Sequence, residues 1–359
     1  MKGLAAVLCC LCAATALGAQ TPEGGAGEVL IKWDLRLYGL DAALGYRGLS
    51  LWQGADTILW VSAGGGYQFA NYFPDAEDTH SPEDVSYSNL NLDWRLGISQ
   101  GLLYGPVLKR NLLELVLLYR GKVQRYAEYD AIPTGYPDRR GILQNSLTGG
   151  LVWDGVLRDP LYLTREGLYA SVSLELVPGF LANNLEGDSQ YSRANALLIG
   201  YLSLLGSREA GVYLAERLVF DYLYGQEGGI PVSARTTIGG LVDLPIGKNP
   251  LEGLGGAVRG ILEGRFDGFV KLVNNLELRA YFPSLSLGGR GGRLTPGLLA
   301  YFDAGIYDKL TRKLSLDPVF LSTGAGLILH PIGFDLVLYG DYFINENRLG
   351  FAVRFGLHY

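Results

Sequence analysis

The last strand-length segment of the chain, residues 348–359, alternates strictly between two kinds of side chain. Every second residue is apolar, from Leu349 to Tyr359, and the residues between them are polar or small. Because successive side chains of a β-strand point to opposite faces, this pattern predicts a strand with one fully apolar face. The same alternation recurs along most of the chain. Such repetition is typical of a membrane β-barrel, with lipid outside the wall and a polar lumen inside it.

In three further segments every charged residue falls on a single face of the predicted strand. The segments are 31–38, 90–98 and 168–176. An arginine that faces lipid at the bilayer midplane costs about 2–4 kcal/mol, so a membrane barrel requires this segregation. Glu216 departs from the pattern, since it shares a face with Leu214 and Leu218. We expect it near a rim of the barrel.

The N-terminal residues have the features of a secretory signal peptide. Lys2 supplies a positive charge, residues 4–17 form an apolar run, and small residues precede a predicted cleavage site near residue 19. The apolar run is too short for a membrane-spanning helix. All three cysteines lie inside this segment, so the mature chain is predicted to contain no disulfide and no thiolate metal ligand.

We divide the chain into a signal peptide (1–19), a short N-terminal segment (20–28) and one all-β domain, an antiparallel transmembrane barrel (29–359). Fourteen strands are predicted, an even number as bacterial barrels have, and sixteen is the alternative. The predicted strands are 29–39, 42–52, 57–70, 86–100, 111–126, 142–154, 167–178, 192–205, 209–222, 270–282, 296–305, 319–329, 332–343 and 347–358. The 51 glycines and 23 tyrosines suit turns and membrane interfaces, and the net charge of −6 argues against nucleic acid as a partner.

The connections between the predicted strands differ in length and composition. Residues 205–208 and 330–331 form short turns, which we place on the periplasmic side. Residues 71–85 and 127–141 are polar and are predicted to be extracellular loops. The segment 223–269 is long and glycine-rich and shows little alternation, and so long a connection is usually functional.

Four stretches, taken together and in order, resemble the BamA/TamA superfamily of bacterial surface antigen barrels. They are the strand–turn–strand 151–175; Ile238-Gly239-Gly240 followed by Val258-Arg259-Gly260; Asn275-Leu276-Glu277-Leu278-Arg279; and Tyr301-Phe302-Asp303-Ala304-Gly305. The resemblance covers residues 140–359 well and residues 29–139 by strand pattern only. It implies a barrel that assembles or translocates outer-membrane proteins, with the glycine-rich segment folded into the lumen and Val258, Arg259 and Gly260 at its tip.

The resemblance also implies how this loop is held. Glu277 and Asp303 lie on the polar phases of their strands and should point into the lumen, where an arginine from the loop can form a bidentate pair with a carboxylate. The residues alone leave open whether these three charges are simply solvated. The resemblance favours Arg259 as the loop anchor, with Asp303 as its main partner and Glu277 as a second.

Two departures from the family pattern bear on function. Only about ten residues separate the predicted cleavage site from the first strand, so we expect no periplasmic POTRA modules. Nine predicted strands precede the Val-Arg-Gly tip, whereas the family usually has eleven, and the missing pair is the first two. The family's activity in transport or insertion and a passive channel or structural surface barrel therefore both stay open. Partners implied are outer-membrane lipid, a client polypeptide, a separate periplasmic protein, or further copies of the chain.

The sequence offers little support for other chemistry. His80, His330 and His358 are scattered over a loop, a turn and a strand, with no spacing typical of a metal site. We therefore predict no metal, no cofactor and no catalytic residue. The alternating end of the chain, with Phe355, Leu357 and Tyr359 on its apolar face, resembles the assembly signal of outer-membrane barrels.

Overall fold

Antiparallel strands make up almost all of the regular structure. The computed structural model describes residues 28–36, 39–52, 55–71, 86–128, 132, 134–158, 165–206, 210–235, 241, 258–259, 268–286, 293–307, 316, 319–331 and 336–355. The strands in chain order are β1 (Glu28–Arg36), β2 (Gly39–Trp52), β3 (Ala55–Asn71), β4 (Ser86–Gly105), β5 (Arg110–Glu128), β6 (Gly141–Asp154), β7 (Leu157–Arg158), β8 (Arg165–Val177), β9 (Tyr191–Gly206), β10 (Gly211–Gly225), β11 (Val270–Tyr281), β12 (Leu285–Ser286), β13 (Arg293–Tyr307), β14 (Phe320–Pro331), β15 (Leu336–Phe343) and β16 (Arg348–Phe355). Short helices lie at Gly179–Leu181, Glu227–Gly229, Ile344–Glu346 and, as α1, at Val232–Arg235.

The strands form one sheet whose order follows the chain. Within the described residues, fourteen strands make up the wall, each paired antiparallel with the next, while the two-residue strands β7 and β12 only extend β8 and β13. The predicted fourteen-stranded antiparallel barrel is therefore confirmed. The hydrogen-bonded order begins at β1 and ends at β16, so these two strands flank the seam of the barrel. No helix in the described ranges is long and apolar enough to cross a membrane.

Every predicted strand has an observed counterpart, and most bounds agree within a few residues. The clearest error is at the end of β14. We predicted a turn at 330–331 and a new strand from 332, whereas β14 continues through Pro331 and β15 begins at Leu336. A proline lacks the backbone N–H that a ladder needs, and Pro331 lies two residues beyond Leu329, the last residue of β14 that pairs with β15.

The connections sort into two groups by the end of the barrel at which they lie. At one end most of them are short, as at 53–54, 106–109 and 207–210, and the longest there is 282–292. At the other end lie 129–140, 178–190 and the long connection 226–269. We call these the short-connection end and the long-connection end. The long connection 226–269 therefore enters the barrel from the long-connection end.

The outer surface of the wall is apolar, as the alternation predicts. Phe351 is 89% exposed, and leucines such as Leu202 and Leu298 are about half exposed. Glu216 also faces outward in β10, where its carboxylate accepts a hydrogen bond of 2.9 Å from Asn274 Nδ2 on β11. The outer polar residue thus has a polar neighbour on the adjacent strand.

The lumen is not polar throughout, and on this point the prediction from sequence is wrong. Inward-facing apolar side chains of β2, β3, β5, β6 and β8–β10 pack against one another near the short-connection end. This lumen cluster comprises Ala43, Ile58, Trp60, Val116, Leu118, Val152, Val156, Tyr169, Leu197, Ile199, Tyr201, Ala215, Val219 and Leu241. Val116, Val156 and Ile199 have no exposed surface at all. The wall strands there are apolar on both faces, so that half of the lumen is a packed core.

Residues 64–66, the three consecutive glycines, lie inside β3 as predicted. Gly64 pairs with Asp41 of β2, and a Cβ atom built at Gly64 would collide with the Asp41 carboxylate. The glycine therefore lets a lumen side chain lie flat against the barrel wall, which is a structural role.

Candidate functional site

Arg259 lies inside the lumen, although it belongs to the long connection between β10 and β11. Its side chain is only 1% exposed. Nε and Nη2 donate to the two carboxylate oxygens of Asp303 at 2.8 and 2.7 Å, which makes a bidentate charge-assisted pair. Nη1 donates to Glu277 at 2.5 Å, and the backbone N–H of Arg259 donates to Asp303 at 3.0 Å. Both the backbone and the side chain of the loop tip are thus held by wall carboxylates.

The two carboxylates come from neighbouring strands in a register that brings them together. Glu277 of β11 lies two residues from the position opposite Asp303 of β13, on the same inner face. Arg279, also on β11, donates from Nε to the second oxygen of Glu277 at 2.7 Å. Two guanidinium groups therefore meet two carboxylates, so the charges of this buried cluster balance, as burial of ions requires.

Aromatic rings line the wall beneath the guanidinium group. The Cζ atom of Arg259 lies 3.4 Å from the centroid of the Tyr301 ring and 5.9 Å from that of Tyr339. The Tyr301 hydroxyl in turn donates to Asp341 on β15. Opposite Tyr301, a Cβ atom at Gly324 would lie 2.6 Å from the ring, so the glycine provides the space that the ring occupies. Cation–π contacts at a desolvated site of this kind stabilise the docked arginine further.

Val258, the residue before the arginine, docks in a small apolar niche of its own. It is 2% exposed and packs against Val273 of β11 and Tyr307 of β13. A Cβ atom at Gly305 would lie 2.6 Å from the nearest methyl carbon of Val258. Any larger residue at position 305 would therefore push the loop tip away from the wall. Ionic pairing and shape together define the docking site.

Some of the predicted site residues lie outside the part of the chain that the structure describes. Gly260, Leu357 and Tyr359 lie outside the described residues, as do the signal peptide and the N-terminal segment. Phe355 is the last residue of β16. The assembly-signal role of the three C-terminal residues stays a prediction.

A hydrolase site needs a serine and a histidine at one rim of the barrel, and Ser322 and His330 are the nearest such pair in sequence. Ser322 and His330 lie on one strand, β14, eight residues apart, which is roughly 26 Å in an extended chain. Ser322 is instead opposite Asp303, beside the docking site. The described part of the chain contains no group of three or more acidic, histidine or cysteine side chains placed to hold a metal ion.

A second docking site, which the sequence did not predict, holds an earlier part of the same connection. Residues 226–235, here called the plug segment, end in helix α1 within the long-connection half of the lumen. Three lumen cations bind it. Arg193 donates to the carbonyl of Ala234, Lys271 donates to the carbonyl of Arg235, and Lys122 donates to the Ser233 hydroxyl at 3.0 Å.

A neighbouring loop holds the other side of the plug segment. Asp138, in the 129–140 connection, has no exposed surface and accepts from the Val232 backbone N–H at 3.0 Å and from the Tyr126 hydroxyl at 2.8 Å. Arg235 donates to the Tyr136 hydroxyl at 2.8 Å and lies over that ring, with Cζ 4.5 Å from its centroid. The described residues of the long connection therefore occupy the lumen at the plug segment, at Leu241 in the apolar lumen cluster and at the Val258–Arg259 tip.

Comparison with known proteins identifies a similar fold. No family model matches the chain, and no curated protein matches it. Among solved structures, the chain is similar to the crystal structure of BamA from Haemophilus ducreyi lacking POTRA domains 1–3, with a TM-score of 0.56 and 13% sequence identity. The match covers 92% of this chain and 65% of that one, so this chain spans about two-thirds of the length of the protein it matches. The barrel is thus BamA-like in its fold.

Proposed function

We propose that this chain is an outer-membrane barrel of the BamA/TamA type that acts in the assembly or translocation of other outer-membrane proteins. The observation that carries the proposal is the docking of Val258 and Arg259 on Asp303 and Glu277. Four stretches of the sequence resemble this superfamily. Arg259 lies in one of them, and its two partners, Glu277 and Asp303, lie in two others. A BamA-like fold supports the same assignment.

The apolar outer surface of the barrel indicates a lipid environment. The exposed apolar wall fits outer-membrane lipid, and the antiparallel pairing of successive wall strands satisfies backbone groups that lipid cannot. We propose that the signal peptide directs export and is cleaved, and that the long-connection end faces the cell exterior. A client polypeptide, a separate periplasmic protein and further copies of the chain are the partners we consider. Nucleic acid, cofactors and catalysis have no part in the proposal.

A passive channel is the competing function, and the filling of the lumen weighs against it. The apolar lumen cluster occupies the short-connection half, and the plug segment and the Arg259 tip occupy positions above it. A barrel filled in this way suits a protein whose lumen is closed at rest. A purely structural surface barrel would share this filling, so a functional assay must separate the two.

Reconstitution tests the proposed activity directly. Liposomes that contain the purified chain should increase the rate at which an added, unfolded outer-membrane barrel becomes protected from protease, relative to empty liposomes. The Arg259→Ala variant should lose most of this increase. Liposomes that give no increase with any barrel client would support a structural role, whereas steady, large single-channel conductance would support a passive channel.

Deletion of residues 355–359 should sharply lower the amount of protein in the outer membrane. The deletion removes the aromatic end of the last strand, Phe355 and Tyr359, which we propose as the signal read by the assembly machinery. The expected effect is on delivery, so the residual protein should keep its resistance to denaturant. Quantitative immunoblots of outer-membrane fractions measure it, with His358→Ala as the control, because His358 lies on the polar phase of the sequence alternation. Wild-type levels of the truncated chain would contradict the assignment.

A further inference from the structure

Residues 178–190 connect β8 to β9 at the long-connection end, and we call this segment the outer strap. Its position is set by the edge of β6. That strand begins at Gly141, but its pairing with β8 begins only at Leu147, opposite Leu176. Among the described residues, the first part of β6 therefore has a strand partner on its β5 side only, and the outer strap lies along its other edge.

Asn183 fastens the strap to this edge. Its side chain has no exposed surface, and its amide makes both hydrogen bonds that a neighbouring strand would make. Oδ1 accepts from the Asn145 backbone N–H at 2.5 Å, and Nδ2 donates to the Asn145 carbonyl at 2.8 Å. The Glu186 carbonyl accepts from the Leu143 backbone N–H at 3.1 Å. The strap thus pairs backbone groups of β6 that lipid could not satisfy.

Two side-chain contacts place the strap on the outer face of the wall. Asn145 has the same phase as Leu147, which is exposed on the outer wall, and its Nδ2 donates to the Leu181 carbonyl at 2.8 Å. Glu186 reaches further and forms an ion pair of 2.9 Å with Arg125, a largely exposed residue of β5. The outer strap therefore crosses the outside of β6 and reaches β5.

The outer face of β5 shows the level at which the strap lies. Toward the long-connection end, its outward residues change from Leu115 and Leu117 to Tyr119 and finally to Arg125. The Tyr119 hydroxyl donates to Asn145 Oδ1 at 2.7 Å, beside the strap. Tyrosine is enriched where lipid meets water, and charged residues lie beyond that level. The strap therefore lies at the margin of the apolar outer surface.

Two large apolar side chains of the strap are exposed. Phe180 is 82% exposed and Leu185 is 74% exposed. The backbone beside them is nevertheless held, because the Leu181 carbonyl accepts from Asn145 and the Leu185 N–H donates to the Ala182 carbonyl at 3.2 Å. The fold thus presents both apolar side chains from a fixed backbone at the level where the lipid-facing surface ends. Transfer of such surface from water into lipid is favourable.

We propose that Phe180 and Leu185 insert among the acyl chains of the membrane leaflet at the long-connection end, so that the outer strap anchors the barrel in lipid. This inference rests on the proposed placement of the barrel in the outer membrane. Lipid is the occupant because the lipid-facing wall continues to the strap through Leu147 and Leu176, which are both exposed outward and lie opposite each other. An ion pair is costly inside a bilayer, so the Arg125–Glu186 pair lies at the level of the headgroups.

Spin labels on the full-length chain in liposomes of phosphatidylethanolamine and phosphatidylglycerol test the proposal. The three cysteines are replaced by serine, and single labels are attached at Phe180→Cys and Leu185→Cys. Oxygen concentrates in lipid and a water-soluble nickel complex does not, so the ratio of collisions with the two reports the surroundings of each label. Both strap labels should give a ratio severalfold higher than a label at Asp188→Cys, an exposed polar position of the same strap. A label at Leu174→Cys, on the outer face of β8, provides the lipid reference.

The two reference labels separate failure of this inference from failure of the membrane placement. If the labels at 180 and 185 match the one at Asp188 while Leu174 gives a lipid-like ratio, the strap lies in water and the inference is wrong. Labels at 180 and 185 that neither reagent reaches would mean that a second copy or another protein covers the strap, which also overturns it. A water-like ratio at Leu174 would instead overturn the membrane placement itself, and the inference with it.

Discussion

The Arg259→Ala variant should unfold at a markedly lower denaturant concentration than the wild-type barrel, with a loss of about 3–5 kcal/mol in the free energy of unfolding. The substitution removes the guanidinium group that binds both carboxylates and leaves Arg279 bound to Glu277, while Asp303 and Glu277 keep no exposed surface. An uncompensated buried charge costs more than the intact pair contributed, which is why the expected loss is large. Tryptophan fluorescence followed through a denaturant titration in detergent micelles measures it.

The double variant distinguishes a coupled pair from two independent charges. Asp303→Ala alone leaves two arginines and one carboxylate, whereas Arg259→Ala with Asp303→Ala leaves only the balanced pair of Arg279 and Glu277. The double variant should therefore be no less stable than either single variant. Single-channel records of the single variants should show higher or noisier conductance, because the loop tip no longer holds to the wall.

Two control variants make this test specific. Arg47 pairs with Glu28 at 3.5 Å, but its side chain is 32% exposed, so Arg47→Ala should cost less than about 1 kcal/mol. Arg259→Lys keeps the charge but loses the fork that meets both oxygens of Asp303, so its stability should lie between those of the wild type and the alanine variant. Fully additive losses in the double variant would mean that the loop tip is not docked on Asp303.

The fold was predictable because its main signal is local. The alternation from Arg348 to Phe355 and the similar pattern in β4 and β8 require only the two-residue period of a strand, and the wall strands follow one another in chain order. The turn predicted at residues 330–331 is wrong, because β14 continues through Pro331. A proline is a strong turn signal, yet Pro331 still belongs to β14, beyond the part that pairs with β15, and periodicity does not separate these cases.

The two docking sites differ in how far the sequence revealed them. The contact of Arg259 with Asp303 and Glu277 was expected only because the surrounding residues resemble a known family; the spacing of three charges would not have selected it. The plug segment was missed because wall cations bind its backbone carbonyls, as Lys271 does with that of Arg235. Every residue has a backbone carbonyl, so the sequence does not show which carbonyl accepts a hydrogen bond from a lysine or arginine. The lumen-phase lysines and arginines were visible, but their partners were not.

The apolar lumen cluster was missed although the sequence does contain a signal for it. Residues 194–205 of β9 form a nearly continuous apolar run, and residues 112–119 of β5 are apolar apart from one glutamate. Strands that are buried on both faces have runs of this kind, whereas strands between lipid and water alternate. The alternation in the rest of the chain predicted a lumen that is polar throughout, so the difference between its apolar half and its polar half was missed.

The filled lumen leads to a second large effect, from a substitution that a wet lumen would accept easily. Leu197 is 3% exposed and points inward from β9, opposite Ser171 of β8 and Val219 of β10. Leu197→Asn keeps the approximate size of the side chain but buries an amide among apolar neighbours. The loss of apolar transfer energy and the buried unsatisfied amide together should cost about 3–5 kcal/mol in the free energy of unfolding.

Ser173→Asn provides the matched control for this prediction. Ser173 also points inward, but it lies opposite Asn195, toward the polar half of the lumen, so an added amide there should change stability by less than about 1 kcal/mol. Denaturant midpoints of both variants, measured in the same detergent, give the comparison. Equal, small effects at positions 197 and 173 would mean that water fills both halves of the lumen. A large loss at 197 alone would mean that the apolar lumen cluster, to which the long connection contributes Leu241, excludes water from that half of the barrel.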